Sequence, residues 1–144
     1  MKFEESKYFK TLIYSKIEKP FGIFYFFETF VISEIHEGIH FDLEMIDIIS
    51  QDILKFYDNT GLNNPRKLVY ITNKVNSYSI NPNFWLQMED KYGFSHIRII
   101  VFYTNWAYTN IAIERMFSKA KIKCYHSLDE AIKWTLSLNM PPKT

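Results

Sequence analysis

The sequence predicts an α/β fold: one domain with a mixed, largely parallel sheet and about four helices. Three observations predict it. Strand-like and helix-like segments alternate along most of the chain. Ile97–Tyr103 is a nearly continuous apolar run, the pattern of a strand covered on both faces in a parallel sheet. Near the start, strand-like segments flank the turn residues Lys19-Pro20-Phe21-Gly22, which gives the sheet a mixed edge. The 144 residues suit a single domain, and a 47% apolar content suffices for a core without disulfide or metal.

Taken in order, residues 1–19 carry five lysines against three glutamates and read as a solvated N-terminal arm with a short strand at Thr11–Ile17. The domain proper spans residues 20–138, and 139–144 form a C-terminal tail. Ile23–Phe27 is aromatic and strand-like, and Phe30–His36 follows as a second strand. In that second strand Val31, Ser33 and Ile35 share one face, while Ile32, Glu34 and His36 share the other. Gly38 marks a turn. Asp42 is placed to cap a long helix, because its carboxylate can accept free N–H groups of the first turn. Met45, Ile46, Ile49, Ile53, Phe56 and Tyr57 then recur at helical spacing, and Asp58-Asn59-Thr60-Gly61 stops the helix. Glu44, Asp47 and Asp52 read as its solvated face.

Lys67–Thr72 is a short strand, and Asn73–Asn81 a polar loop. Asn81-Pro82 starts a helix that carries Trp85, Met88 and Tyr92 and ends at Gly93. After the Ile97–Tyr103 strand, Thr104 or Asn105 caps a third helix. Ile122–Tyr125 is the last strand. Ser127-Leu128-Asp129-Glu130 is a capping box, and Ala131, Trp134 and Leu138 point the final helix inward.

Composition excludes several classes. A net charge of +1 leaves no overall positive field for nucleic acid. The single cysteine, Cys124, allows neither an internal disulfide nor a multi-cysteine zinc site. No apolar stretch of signal-peptide length precedes Lys16, and none approaches the ~20 residues of a membrane span. A cytoplasmic protein with no transmembrane segment is the expectation. With four glycines and no G-x-G-x-x-G, G-K-[ST] or G-x-S-x-G pattern, backbone-cradled phosphate binding is not expected.

Two short patterns suggest chemistry. His36-Glu37-Gly38-Ile39-His40 fits H-E-x-x-H, which binds zinc only when both histidines lie one helical turn apart. Here the match straddles a strand end and a glycine, so a turn with two surface histidines is expected, and no metal. Cys124 and His126 point the same way in a strand and could pair as nucleophile and base; a small buried hydrophobe is the commoner role for such a cysteine. The expectation is no catalytic set, no cofactor and no enzyme. The aromatic content of 18% fits either a packed core or a cavity for an apolar ligand.

The segment Asn73-Lys74-Val75-Asn76-Ser77-Tyr78-Ser79-Ile80-Asn81 is the candidate functional loop. It follows a strand, and ligands and partners meet parallel α/β sheets at the carboxyl ends of strands. The candidate partner-binding or phosphoacceptor residues are Asn73, Asn76, Ser77, Tyr78 and Ser79.

The segments Phe21-Gly22-Ile23-Phe24-Tyr25-Phe26-Phe27-Glu28, Val31-Ile32-Ser33-Glu34-Ile35-His36-Glu37-Gly38, Val69-Tyr70-Ile71-Thr72-Asn73 and Asn76-Ser77-Tyr78-Ser79 together resemble bacterial proteins of the SpoIIAA-like/STAS class. The chain resembles the small members from Bacteroidetes-type bacteria among them. The ending Ser127-Leu128-Asp129-Glu130-Ala131-Ile132-Lys133-Trp134 resembles the last helix of that class, so the likeness spans roughly residues 20–138. It implies STAS architecture and a regulatory module that binds a protein partner. In anti-sigma-factor antagonists of the class, a kinase modifies a serine in an Asp-Ser-Ser-Gly loop after a strand. The matching location here is Asn73–Ser79; that motif is absent, and only the location and the serines carry over. Relatives of the fold that bind lipids imply the alternative, a carrier of an apolar ligand. A homodimer is also expected, because edge strands near the N-terminus need cover.

Overall fold

The computed structural model describes residues 1–60, 67–81, 89–93, 97–104 and 121–138. The early strands form as a hairpin because Pro20-Phe21 makes a two-residue turn between β1 (Ser15–Lys19) and β2 (Gly22–Phe26). Proline's ring fixes φ near about −65° and carries no N–H, and a turn position outside the ladder tolerates both. The pair is antiparallel, with Lys19 opposite Gly22 and Ser15 opposite Phe26. β3 (Phe30–Ile35) runs back along β2, also antiparallel. Gly22 is required where these strands meet: a Cβ there would lie 2.9 Å from the Glu34 carbonyl oxygen.

Three parallel strands complete the sheet: β5 (Val69–Lys74), β7 (Ile97–Phe102) and β8 (Lys121–Tyr125). The order is β1-β2-β3-β5-β7-β8, with parallel junctions from β3 onward. Two short strands, β4 (His40–Phe41) and β6 (Ser79–Ile80), form a separate parallel pair. The expected class, α/β with a mixed and mostly parallel sheet, is the class observed.

Each face of the sheet is covered. One packs Phe24, Phe26, Val31, Ile35 and Tyr70 against Ile46, Ile49, Ile53 and Tyr57 of α1 (Leu43–Thr60). Asp42 caps α1 as its position predicts, its Oδ1 accepting the Met45 N–H at 3.0 Å. Tyr57 reaches past the core and donates its hydroxyl toward Phe27 O at 2.6 Å, with Phe30 O at 2.9 Å, which ties the β2–β3 turn to the helix. The acidic face of α1 is partly engaged: Asp52 pairs with Lys19, and Asp47 accepts from Lys91 and Tyr92. The opposite sheet face packs Tyr25, Phe30, Ile32, Ile71, Ile99 and Val101 against α2 (Leu128–Ser137). Ser127 Oγ accepts the Glu130 N–H at 3.3 Å and starts α2. The buried stripe of α2 is Leu128, Ala131, Ile132 and Thr135; Leu138, expected inward, is 44% exposed because it follows the last turn.

The N-terminal segment departs from the solvated arm read from its lysines. Phe3 opens a short 3-10 turn (Phe3–Glu5) and is completely buried. Its ring meets Tyr25, Tyr14, Phe27 and Phe9 at centroid distances of 4.7, 5.2, 5.3 and 5.8 Å. Ser6 Oγ donates to Asp129 on α2. Lys2, Lys7 and Lys10 stay exposed while Phe3 is buried, so the ring docks the segment without dehydrating its lysines. β1 accordingly starts at Ser15 rather than Thr11.

Of the two middle helices, residues 89–92 are helical, while 82–88 and 105–120 lie outside the described residues, as does the 139–144 tail. Among the described residues no helix is long and apolar enough to cross a membrane.

Candidate functional site

The loop after β5 does not hang free. It folds back over the turn that follows β3, and the two segments knit into a small ladder. Asn76 Nδ2 donates to Ile35 O at 3.0 Å. The Ser77 N–H donates to Glu37 Oε2 at 2.7 Å, and Ser77 O accepts the Gly38 N–H at 2.8 Å. The Ser79 N–H donates to Ile39 O at 3.0 Å, and His40 Nδ1 lies 2.8 Å from Ser79 Oγ. Gly38 sits at φ 76°, a conformation glycine adopts without strain, and this turns the chain into β4.

His36–His40 is therefore a turn running into a two-residue strand, not a helix. Its histidines do not share a helical face, and the zinc-protease geometry fails. Among the described residues no group of three or more His, Cys, Asp or Glu side chains could hold a metal ion.

The predicted loop residues separate by burial. Ser77 and Ser79 are exposed; Asn76 and Tyr78 are half-buried. Lys74 Nζ stands 4.7 Å above the Tyr78 ring and 3.4 Å from its hydroxyl, which orients that ring. Asn73 is 1% exposed, so it cannot meet a partner as expected of it. It is instead a structural linker. Its Nδ2 donates to Met1 O at 2.9 Å and to Glu34 Oε2 at 2.8 Å, and its Oδ1 accepts from the Tyr103 hydroxyl at 2.6 Å.

Glu34 is the residue that sequence reasoning missed. It is 4% exposed, and its Oε2 also accepts the Phe3 N–H at 2.8 Å. Burial pushes its carboxyl above the usual carboxylate range, and the bonds from Phe3 and Asn73 pull the other way. The one signal in the sequence was its alternation with Ile32, which placed it on a covered face. Beside this knot lies a hollow of about 320 Å3, bordered by Met1, Lys74, Asn76, Ser77, Tyr103 and Thr104 at the carboxyl ends of β5 and β7.

The chain matches no protein-family model, no curated protein and no solved structure. Ser79 and His40 have the spacing of a nucleophile and base, but such a pair needs a dry site and a third group to orient the base. Both residues are exposed. Cys124 is half-buried and packs with Ile122 against Ile100 and Phe102, the environment of a small hydrophobe; His126 lays its ring 4.4 Å from that of Phe102.

Proposed function

We propose that this chain is a regulatory module without catalytic activity that works in the cytoplasm and docks a protein partner through residues 36–40 and 76–80. One observation carries the reading: two exposed serines, Ser77 and Ser79, stand on a backbone pinned to the neighbouring turn. A preorganised polar surface loses little freedom on binding, so its contacts convert into affinity. The resemblance to STAS antagonists supports the same location, since their modified serine also follows a strand.

Ser79 is the better phosphoacceptor of the two. A phosphate adds about −1.5 to −2 charges, which His40 beside Ser79 would attract and the Glu37 carboxylate beside Ser77 would repel. The test is affinity capture from the native host with the wild-type chain, Ser79→Ala and Ser79→Glu, scored by quantitative mass spectrometry. A partner held by wild type and Ser79→Ala but released by Ser79→Glu supports the switch. Equal recovery by all three, with Asn76→Ala equally competent, removes the loop from the interface.

A second reading has an observation of its own. At the other end of the sheet a groove of about 810 Å3 is lined by Leu12, Tyr14, Phe26, Phe27, Phe30 and Phe56, within the roughly 300–1,000 Å3 of small-molecule sites. A carrier of an apolar ligand would use it. Native mass spectrometry of host-purified protein decides: an apolar adduct lost on Phe56→Asp substitution favours the carrier, and a bare chain excludes it.

A further inference from the structure

β1 is an edge strand whose exposed side has a self-complementary pattern. Among the described residues it pairs with β2 alone, and Ser15, Lys16 and Glu18 are exposed. The two-residue turn makes Lys19 and Gly22 a hydrogen-bonded pair, so alternation turns the N–H and C=O groups of Ser15 and Ile17 toward β2 as well. Lys16 and Glu18 therefore direct theirs outward. These are the residues a further strand would bond.

We propose that β1 is a homodimer interface, with two copies pairing antiparallel about a two-fold axis through Ile17. In that register Lys16 of each copy faces Glu18 of the other, and the outward backbone groups of both are satisfied. Lys16 and Glu18 lie on one face of the strand, with Nζ 3.1 Å from Oε1 within one chain and side-chain exposures of 42% and 69%. Across the axis the four side chains form a cluster of alternating sign. Neighbouring registers fail. An axis through Lys16 sets lysine against lysine, and an axis through Glu18 sets glutamate against glutamate. A lone edge lysine blocks strand addition, but a Lys-x-Glu edge selects its own copy in one register. Ile13, 95% exposed, supports the same occupant. The axis through Ile17 carries it toward the Pro20-Phe21 turn of the second copy, which removes a large aliphatic side chain from water.

The test is sedimentation velocity on the full chain over a concentration series at low salt, with thermal melts to confirm folding. Wild type is expected to dimerise. Lys16→Glu and Glu18→Lys each turn two attractive cross-strand pairs into repulsive ones and are expected to weaken the dimer at least about ten-fold. The combined Lys16→Glu/Glu18→Lys variant restores opposite charges in the same register and is expected to dimerise like wild type. A wild-type chain monomeric up to ~1 mM overturns the proposal. So does a dimer indifferent to the single reversals, or a double reversal no tighter than its parents. The result does not depend on the 76–80 loop, so this inference and the proposed docking surface stand or fall separately.

Discussion

Glu34 and Glu37 lie three residues apart, and each accepts a backbone N–H from a segment far away in sequence. Glu34 takes the Phe3 N–H at 2.8 Å, and Glu37 takes the Ser77 N–H at 2.7 Å. The bonds are nearly identical in length and opposite in setting. Glu34 sits inside the molecule, surrounded by Asn73, Tyr103 and the Phe3 backbone. Glu37 sits on an exposed turn. A charge-assisted bond shielded from water is strong, and its partners are costly to leave unpaired; at the surface, water replaces either partner at little cost. The buried knot therefore fixes the N-terminal segment to the sheet, whereas the exposed ladder holds the turn and the loop together at the surface.

The largest expected effect tests the buried side. Phe3→Ala empties a socket made by Tyr14, Tyr25 and Phe27, and is expected to cost about 3–5 kcal/mol in a urea unfolding curve. An arm held only by its ends would lose under about 0.5 kcal/mol on the same change, and that outcome would break the comparison at its stronger half. Asn73→Ala comes next. It strips one donor from Glu34, one from Met1 O and the acceptor of Tyr103, with an expected cost of about 1–3 kcal/mol.

The pH dependence sharpens the contrast further. Burial raises the folded-state value of Glu34 above the ordinary 4.5. Between those two values the native chain holds a proton that the unfolded chain has released. Stability contributed by this group is thus present at the acid end and falls as pH rises through the folded value. Glu34→Gln should flatten that slope in a series of urea midpoints. Asn73→Ala should extend it upward in pH, because the Asn73 bond is one of the two that favour the ionised form.

Much of the fold was legible in the sequence because its signals are local. Asp42 and Ser127 announce their helices by their own side chains, and Ile46, Ile49 and Ile53 mark the buried face of α1 by spacing alone. The nearly continuous apolar run of β7, interrupted by Arg98, needed no partner to be read. What escaped depends on partners remote in sequence. The β4–β6 ladder is two residues long, pairs His40 with Ser79, and has no periodicity to detect. Phe3 carries one aromatic ring among lysines, and only the socket assembled from β2 and its flanks makes that ring decisive. Asn73 looked like its loop neighbours because burial divides Asn73 from Ser77 only once Met1 and Tyr103 close over it.

The smallest expected effect on stability is the one that bears on function. Glu37→Gln keeps an acceptor for the Ser77 N–H and removes the charge, so the unfolding free energy should shift by no more than about 0.5 kcal/mol. If the ladder serves a partner, the same substitution should still change capture of that partner, because a charge on the docking surface is felt by whatever binds there. It should also ease modification at Ser77 by removing the carboxylate that repels a phosphate. A stability loss of about 1–3 kcal/mol, the size expected for Asn73→Ala in the buried knot, would mean that the turn is structural, and the distinction between the two glutamates would collapse. An unchanged melt with altered partner capture would assign the buried knot to folding and the exposed ladder to recognition.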